Sequence, residues 1–378
     1  MNADAPVARI ATADPATPNC DARQWAQIAQ HHAHPVRTRS LLQLLTTVFP
    51  LFGLWAAMIV SVGDAYWLTL LLSLLAAAFM VRLFIIQHDC GHRSFFRSHR
   101  LNDFLGALIG VFTLTPHEYW RRAHNTHHAT CGNLEKRGIG DVSVLTVSEY
   151  VNLPRWKRLA YRLYRNPLVI LGIGPIYLFV IKYRLPLDLI RRQPRLLIGV
   201  MGTNLAIVAL LTGLGLAFGF VDVLMVQAPI VLVSSAAGVW LFYVQHQFER
   251  TYWKEDGEWD FYTASVMASS YCHLPSLLRW FTGNIGIHHI HHLSSRIPNY
   301  RLSACLKDIP ALQNLNRVGF LKSMTCLRLA LWDEAADRMV SFKSLRHTQR
   351  PSGPEDSSPA SSGDSVYAGS VHTGEGNP

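Results

Sequence analysis

Four long stretches of the chain are apolar and almost free of charge. Ser40 to Gly63, Leu196 to Val221 and Val223 to Phe248 contain no Asp, Glu, Lys or Arg, and Ala65 to Gln87 contains only Arg82. Each reaches the roughly 20 residues needed to cross a hydrocarbon core about 30 Å thick, a length that buried helices of soluble cores rarely match without a charge. The pattern predicts four transmembrane helices, at 40–63, 65–87, 196–221 and 223–248. They pair as two hairpins, because only Asp64 and its neighbours separate the first two and only Asp222 the last two. Both hairpins therefore leave their outer ends on one side. Phe104 to Pro116 and Asn166 to Ile181 are apolar but too short to span comfortably, and are expected as interfacial or re-entrant helices roofing a site at the membrane surface. The expected fold is an all-α integral membrane protein with four spans as two hairpins plus interfacial helices, capped by a cytoplasmic helical domain.

Residues 1–39 hold Pro6, Pro15, Pro18 and Pro35 and are expected as a flexible N-terminal arm. His31, His32 and His34 in this arm are too closely spaced to share a helical face and read as solvated. Residues 348–378, rich in Ser, Gly and Pro, are expected as a disordered tail, leaving 40–347 as one membrane domain. No secretory signal peptide is expected, since the first apolar run is a full span. Gly213, Gly215 and Gly219 fall inside a span and read as helix packing rather than a nucleotide loop.

The charge distribution orients these elements. Of the 35 Lys and Arg residues, 12 lie in 88–165 and 12 in 249–348, and the two hairpin turns hold none. By the positive-inside bias, the N-terminus, the long middle section and the C-terminus are all cytoplasmic. The net charge of +10 then needs no nucleic-acid partner. The six Cys form no CxxC pair and, on the cytoplasmic side, no disulfide is expected.

Against this background the 18 histidines are unevenly placed. Eight fall in three tight groups: His88 and His92, His124 with His127 and His128, and His288 with His291 and His292. Spacings of three and four residues put imidazoles on one face of a helix, where they can act as neutral ligands to a first-row transition metal. His246, near the end of the last span, is a ninth candidate at the same depth on the same side. Protonated rings so crowded would repel, and metal removes that cost. Nine nitrogen donors exceed what one zinc takes, and two metal ions fit the count. The ligand type alone does not choose between iron, zinc, copper and nickel. His117-Glu118 begins like a zinc-protease motif, but Arg121 stands where its second histidine belongs.

The strings His88-Asp-Cys-Gly-His92, His124-Asn-Thr-His-His128 and His288-His-Ile-His-His292 resemble the three histidine boxes of the membrane fatty acid desaturase family. With the flanking GHRSFF, HNTHHATCGN and HHIHHLSSRIPNY, they are most similar to acyl-lipid desaturases of the delta-12/omega-6 type. The resemblance covers about residues 41–310. It implies a di-iron site held by His88, His92, His124, His127, His128, His288, His291 and His292. His246 matches the extra histidine that the family carries on its last membrane helix. Only His288 reproduces the third box's spacing with His291 and His292, so His289 is left out of the ligand set. No catalytic residue beyond the metal ligands is expected.

The implied activity is an oxygen-dependent insertion of a cis double bond into a membrane-lipid acyl chain. An unactivated methylene has no acidic proton, so a metal–oxygen species must remove its hydrogen, with dioxygen as co-substrate. Electrons must come from a partner, because the chain shows no haem, flavin or iron–sulfur pattern. The basic residues Arg121, Arg122, Lys136 and Arg137 would suit an acidic ferredoxin or cytochrome b5. Asp89, Asn125 and Glu249 are candidates to orient imidazoles, while Trp120, Trp253 and Trp259 read as interface anchors. His99, His117 and His273 are expected as non-ligands. The alternatives are a di-iron hydroxylase or a carotenoid ketolase or hydroxylase on the same scaffold, and, less favoured, a metal transporter, which would place polar residues at mid-span.

Overall fold

A computed structural model describes residues 18–185 and 193–345. The expected tail at 348–378 and the first 17 residues of the arm lie outside the described residues. The compact unit that carries the site runs to Phe342.

The first helix, α1 (Pro18–Gln30), is followed by the long apolar helices α2 (Arg37–Ser61) and α3 (Tyr66–Gly91). Then come α4 (His99–Phe112) and α5 (His117–Thr130). A short strand β1 (Leu145–Thr146) leads to α6 (Val147–Asn152) and α7 (Arg155–Tyr164). Two π-helical stretches, Val169–Ile173 and Tyr177–Lys182, flank the single turn α8 (Gly174–Ile176). The second long pair is α9 (Pro194–Phe218) and α10 (Phe220–His246). The remainder is α11 (Phe261–Met267), β2 (Tyr271–His273), α12 (Ser276–Phe281), α13 (His288–Leu293), α14 (Asn299–Asp308), a 3-10 turn at Pro310–Gln313, β3 (Arg317–Gly319), α15 (Phe320–Cys326), β4 (Leu329–Asp333) and β5 (Arg338–Ser341).

Four helices are long and apolar enough to cross a membrane: α2, α3, α9 and α10. α3 is the central one, buried over most of its apolar length, while the other three turn most of theirs outward. α2 packs on α3, α3 on α10, and α10 on α9. The outward faces carry large apolar side chains such as Leu42, Phe49, Ile198 and Leu205, all largely exposed. A surface of that kind is stable only against lipid. Pro50 and Pro229 sit inside α2 and α10, where neighbouring membrane helices commonly tolerate them.

The span boundaries differ from the sequence reading at informative places. The break between α9 and α10 falls at Gly219, not at Asp222, because Gly219 adopts φ +93°, a conformation an L side chain resists. Asp222 instead occupies the first turn of α10, where its charge complements the helix dipole. α3 runs on through His88 to Gly91, and the His92 N–H donates to the His88 carbonyl at 3.2 Å. The segment at 166–181 is not a regular helix. It winds in π-helical turns and is bent by 60° from α7.

Two further expectations are corrected. The fold is mainly helical but not all-α. β1, β4 and β5 form one small sheet and β2 pairs in parallel with β3 in another. These strands have two to five residues, too short for an alternating run to announce them, and only β4 and β5 pair as neighbours in the chain. Nor is the described part of the N-terminal arm a flexible coil. α1 sets Ala22, Ala26 and Ala29, spaced by four and three, into the core with Val266, Leu293 and Leu302, and small side chains allow that close approach. Beyond it His32 is not simply solvated, since its Nε2 lies 2.8 Å from Asp308 Oδ2.

Because α1 packs against α13, which carries the third histidine group, its alanine stripe bears on the site. Ala29→Glu puts a carboxylate into this core, and thermal unfolding in detergent should show a loss of roughly 2–4 kcal/mol. A chain in which residues 18–30 were an unstructured arm would show no change.

Candidate metal centre

The three histidine groups reach one place by different routes. α3 delivers His88 in its last turn and His92 at its cap. α5 delivers His124, His127 and His128, three and four residues apart and therefore on one side of the helix. α10 ends on His246, and α13 carries His288, His291 and His292, all buried. The nine rings thus come from the ends of two spans and from two short helices that pack beside them.

They fall into two adjoining sets. The ligand atoms of His88, His92, His124, His128 and His291 all lie within 4.8 Å of one another, and those of His127, Cys131, His246 and His292 do the same. His288 joins the second set, its Nε2 standing 3.0 Å from His246 Nε2. The sets touch where the rings of His128 and His292 stack at 4.0 Å.

Nitrogen faces nitrogen throughout. The Nε2 atoms of His124 and His128 are 3.2 Å apart, those of His128 and His291 3.1 Å, and those of His127 and His246 3.1 Å. His88 Nε2, His92 Nε2 and His292 Nε2 are buried with no hydrogen-bond partner. Burial first, and then the charge of neighbouring rings, hold His92, His124, His127, His128, His288, His291 and His292 well below the ordinary imidazole pKa. The shift favours the neutral form of these seven rings, which leaves lone pairs available. Metal–nitrogen bonds of about 2.0–2.1 Å place neighbouring ligand atoms on one ion about 3.0–3.4 Å apart, the spacing found here. The donor set therefore fits two closely placed transition-metal ions, including iron.

The far side of several rings is also held. His246 Nδ1–H donates to the Ala268 carbonyl at 3.2 Å, which leaves its Nε2 lone pair facing the centre. Asp89 Oδ1 lies 3.3 Å from His88 Nδ1, while its Oδ2 accepts from the backbone and side chain of Asn299 at 2.7 and 2.8 Å. Asp141 Oδ2 stands 3.9 Å from His127 Nδ1, and burial raises its pKa to about 6. Each set thus has one carboxylate behind it. Asp141 can approach because Gly140 adopts φ +68° and any Cβ there would meet the Ala123 carbonyl oxygen at 2.5 Å.

Of the orienting residues expected from sequence, only Asp89 is in place. Asn125 is exposed, and Glu249 pairs with Arg338 at 3.7 Å on the surface. Asp141 was missed because 12 residues, a glycine turn among them, separate it from His128, and only the fold closes that gap. Cys131, four residues after His127, could have been found by helical spacing. Burial raises its thiol pKa well above the ordinary value, and its Sγ lies 3.5 Å from His246 Nδ1, the ring nitrogen opposite the Nε2 that faces His127 and His288.

The tryptophans are not interface anchors. Trp120 stacks on His124 at 4.6 Å, Trp253 is buried beside Trp332, and Trp259 donates to the Cys131 carbonyl at 2.9 Å. His289 Nε2 turns away to the Leu312 carbonyl at 2.8 Å. His117 is buried against Gly106 and burial lowers its pKa to about 4. His273 Nδ1 lies 2.9 Å from the Tyr271 hydroxyl, and His99 is exposed at the start of α4.

A cavity of about 320 Å³ runs from this centre along α10. His88, His124 and His288 stand in its wall, and Met80, Phe84, Phe112, Phe179, Val231 and Phe242 make much of the rest. Val231 to Gln245 on α10 covers roughly 21 Å at 1.5 Å per residue. The wall is mainly aliphatic and aromatic, and the histidines interrupt it.

Residues 65–319 match the family described as fatty acid desaturase. The chain belongs to the fatty acid desaturase family. It is 47% identical over 315 residues to a fatty acid desaturase of Bacillus subtilis (strain 168), covering 83% of this chain and 89% of that protein. It is 29% identical to the sn-1 acyl-lipid omega-3 desaturase (ferredoxin) of Nostoc sp. (strain 36), over 66% of this chain and 69% of that one. It is 30% identical to the acyl-lipid omega-3 desaturase (cytochrome b5), endoplasmic reticulum, of Arabidopsis thaliana, over 58% of each chain. The protein is accordingly a membrane desaturase and an oxidoreductase, with a histidine cluster able to hold metal.

The buried carboxylate behind His88 gives this desaturase a measurable sensitivity. Asp89→Ala should lower metal affinity about 10–100-fold, read as metal content after dialysis against a graded chelator, and should lower the thermal midpoint because Asn299 loses its acceptor.

Proposed function

We propose that this desaturase introduces a cis double bond into the acyl chain of a membrane lipid, using two irons, dioxygen and electrons from a separate carrier protein. The observation that carries the reading is the coincidence of two neutral-imidazole sets with the mouth of an apolar cavity. Iron with dioxygen supplies the oxidising power that an unactivated methylene requires. In balance, two adjacent methylenes, dioxygen, two electrons and two protons give one double bond and two waters.

The residues of the chain prepare that chemistry. His88, His92, His124, His128 and His291 would hold one ion, and His127, His246, His288 and His292 the other. Asp89 and the Ala268 carbonyl keep imidazoles aimed at the centre, and Asp141 places a carboxylate 3.9 Å behind His127. Trp120 and Phe242 pack on the ligand rings and exclude water from the cavity's upper end. The apolar wall holds the acyl chain and fixes which carbons reach the histidines, so the position of the bond is a property of the cavity. The box strings favour delta-12/omega-6 regiochemistry, and the names of two relatives specify omega-3. With the basic segments on one side, the termini and the metal centre face the cytoplasm in this reading.

Expression in a host without polyunsaturated fatty acids, followed by gas chromatography–mass spectrometry of total lipids, should give a product two mass units lighter than its precursor and locate the bond. His127→Ala should abolish it. A gain of one oxygen would identify a hydroxylase instead, and unchanged lipids from iron-loaded protein with a competent donor would reject the reading.

Gly238 lines the cavity, and a Cβ there meets nothing within 4 Å. Gly238→Leu should therefore fold normally yet fill the passage. Turnover of the longest accepted acyl chain should drop about tenfold, with the product profile moving toward shorter chains.

A further inference from the structure

The four basic residues that the sequence offered to an electron donor are largely compensated in the fold, by three carboxylates. Arg121 and Arg122 pair with Glu118 at 2.7 and 3.5 Å, Lys136 pairs with Asp256, and Arg137 with Glu149. Uncompensated positive charge gathers elsewhere. A second cavity, of about 440 Å³, reaches His92 and is lined also by His34, Arg93, Arg97, His99 and Arg296.

Three chain segments build this cavity: the turn before α2, the turn between α3 and α4, and the loop between α13 and α14. Arg93 is paired with Asp103 at 2.9 Å. Arg97 and Arg296 are exposed, and neither takes part in an ion pair among the described residues. Arg301 lies near enough that, after desolvation, its charge is the next cause of a lowered His34 pKa, with Arg97 acting in the same sense. The Arg301 Nε–H is itself buried without a partner. The field in this cavity is thus positive, and its inner end is a ring of the first histidine set.

We propose that this cavity is the docking site of an acidic one-electron carrier protein, whose carboxylates meet Arg97 and Arg296 and whose electrons enter the metal centre past His92. The proposal rests on the reading of the centre as a redox-active iron pair. Two reduced carriers each lose one electron per double bond, which together with two solvent protons and the two hydrogens of the acyl chain completes the reduction of dioxygen to two waters. The acyl chain and the carrier then approach through different cavities, one apolar and one cationic. Opposite charges steer such an encounter, and salt screens it. The rival occupant is the phosphate of an anionic lipid headgroup.

The test uses the full-length, iron-loaded protein in phosphatidylcholine nanodiscs, with an acidic plant-type [2Fe–2S] ferredoxin as probe and binding read by biolayer interferometry at low ionic strength. The Kd should rise about tenfold or more in Arg97→Glu/Arg296→Glu, stay within about twofold in Arg122→Glu/Lys136→Glu, and rise steeply with salt in the wild type. Iron content and thermal midpoint should match the wild type. If the charge-reversed protein does not fold, Arg97→Gln/Arg296→Gln should give a smaller rise in the same direction. A ferredoxin that fails to bind the wild type, or whose Kd responds equally to both pairs or only to the Arg122/Lys136 pair, overturns the proposal. So does a variant that loses retained phosphatidylglycerol in native mass spectrometry while its ferredoxin Kd is unchanged, which assigns the cavity to a headgroup. Binding is read without turnover, so a protein that binds ferredoxin normally but forms no product counts against the desaturation reading alone.

Discussion

Bringing nine imidazoles into one dry space is the constraint to which the rest of the structure answers. Protonated, they would repel, and buried without partners their nitrogens would each forfeit hydrogen bonds. The fold resolves the first difficulty by burial deep enough to keep the rings neutral. It leaves the second open, with Nε2 atoms aimed at one another or at nothing. A cation accepting the lone pairs would relieve that cost, which would couple metal binding to the folding of this region.

The membrane sets where such a cluster can form. Mid-span, the helices can offer only side chains that hydrocarbon tolerates, so ligands appear at the final turns of α3 and α10 and on α5 and α13 beside them. The polar segments that follow are then free to wrap the rings with second contacts. Asp89 reaches Asn299 across the fold, Ala268 lends its carbonyl to His246, and the glycine turn before Asp141 carries a carboxylate to His127. The small sheets and α1 have no chemistry of their own. They brace the segments that hold α13 and the loop around Asp141.

Access is divided by polarity. An apolar cavity beside α10 meets His88, His124 and His288, whereas a cationic one meets His92. Hydrocarbon is excluded from the second by its arginines, and a charged protein surface from the first by its aromatic and aliphatic wall. One centre can therefore meet two chemically incompatible partners.

The spans, the basic segments and the three histidine groups were legible in the chain because each is a local property: run length, charge count, and spacing on one helix. The nine candidate rings could be named for the same reason, and the structure brings all nine together. What the chain could not show depends on contacts between distant segments. Ala22, Ala26 and Ala29 read as an arm until a core is present to receive them, and Trp120 reads as an anchor until His124 lies beneath it. Arg121, Arg122, Lys136 and Arg137 read as a free cationic face because their carboxylates, at Glu118, Glu149 and Asp256, count as separate charges until side chains meet. Sequence alone determined which groups could bind metal and cross lipid, since residue type and spacing fix those capacities. Tertiary structure decided how the rings divide into two sets, which carboxylates stand behind them and which charges stay unpaired, because those depend on distances that only packing creates.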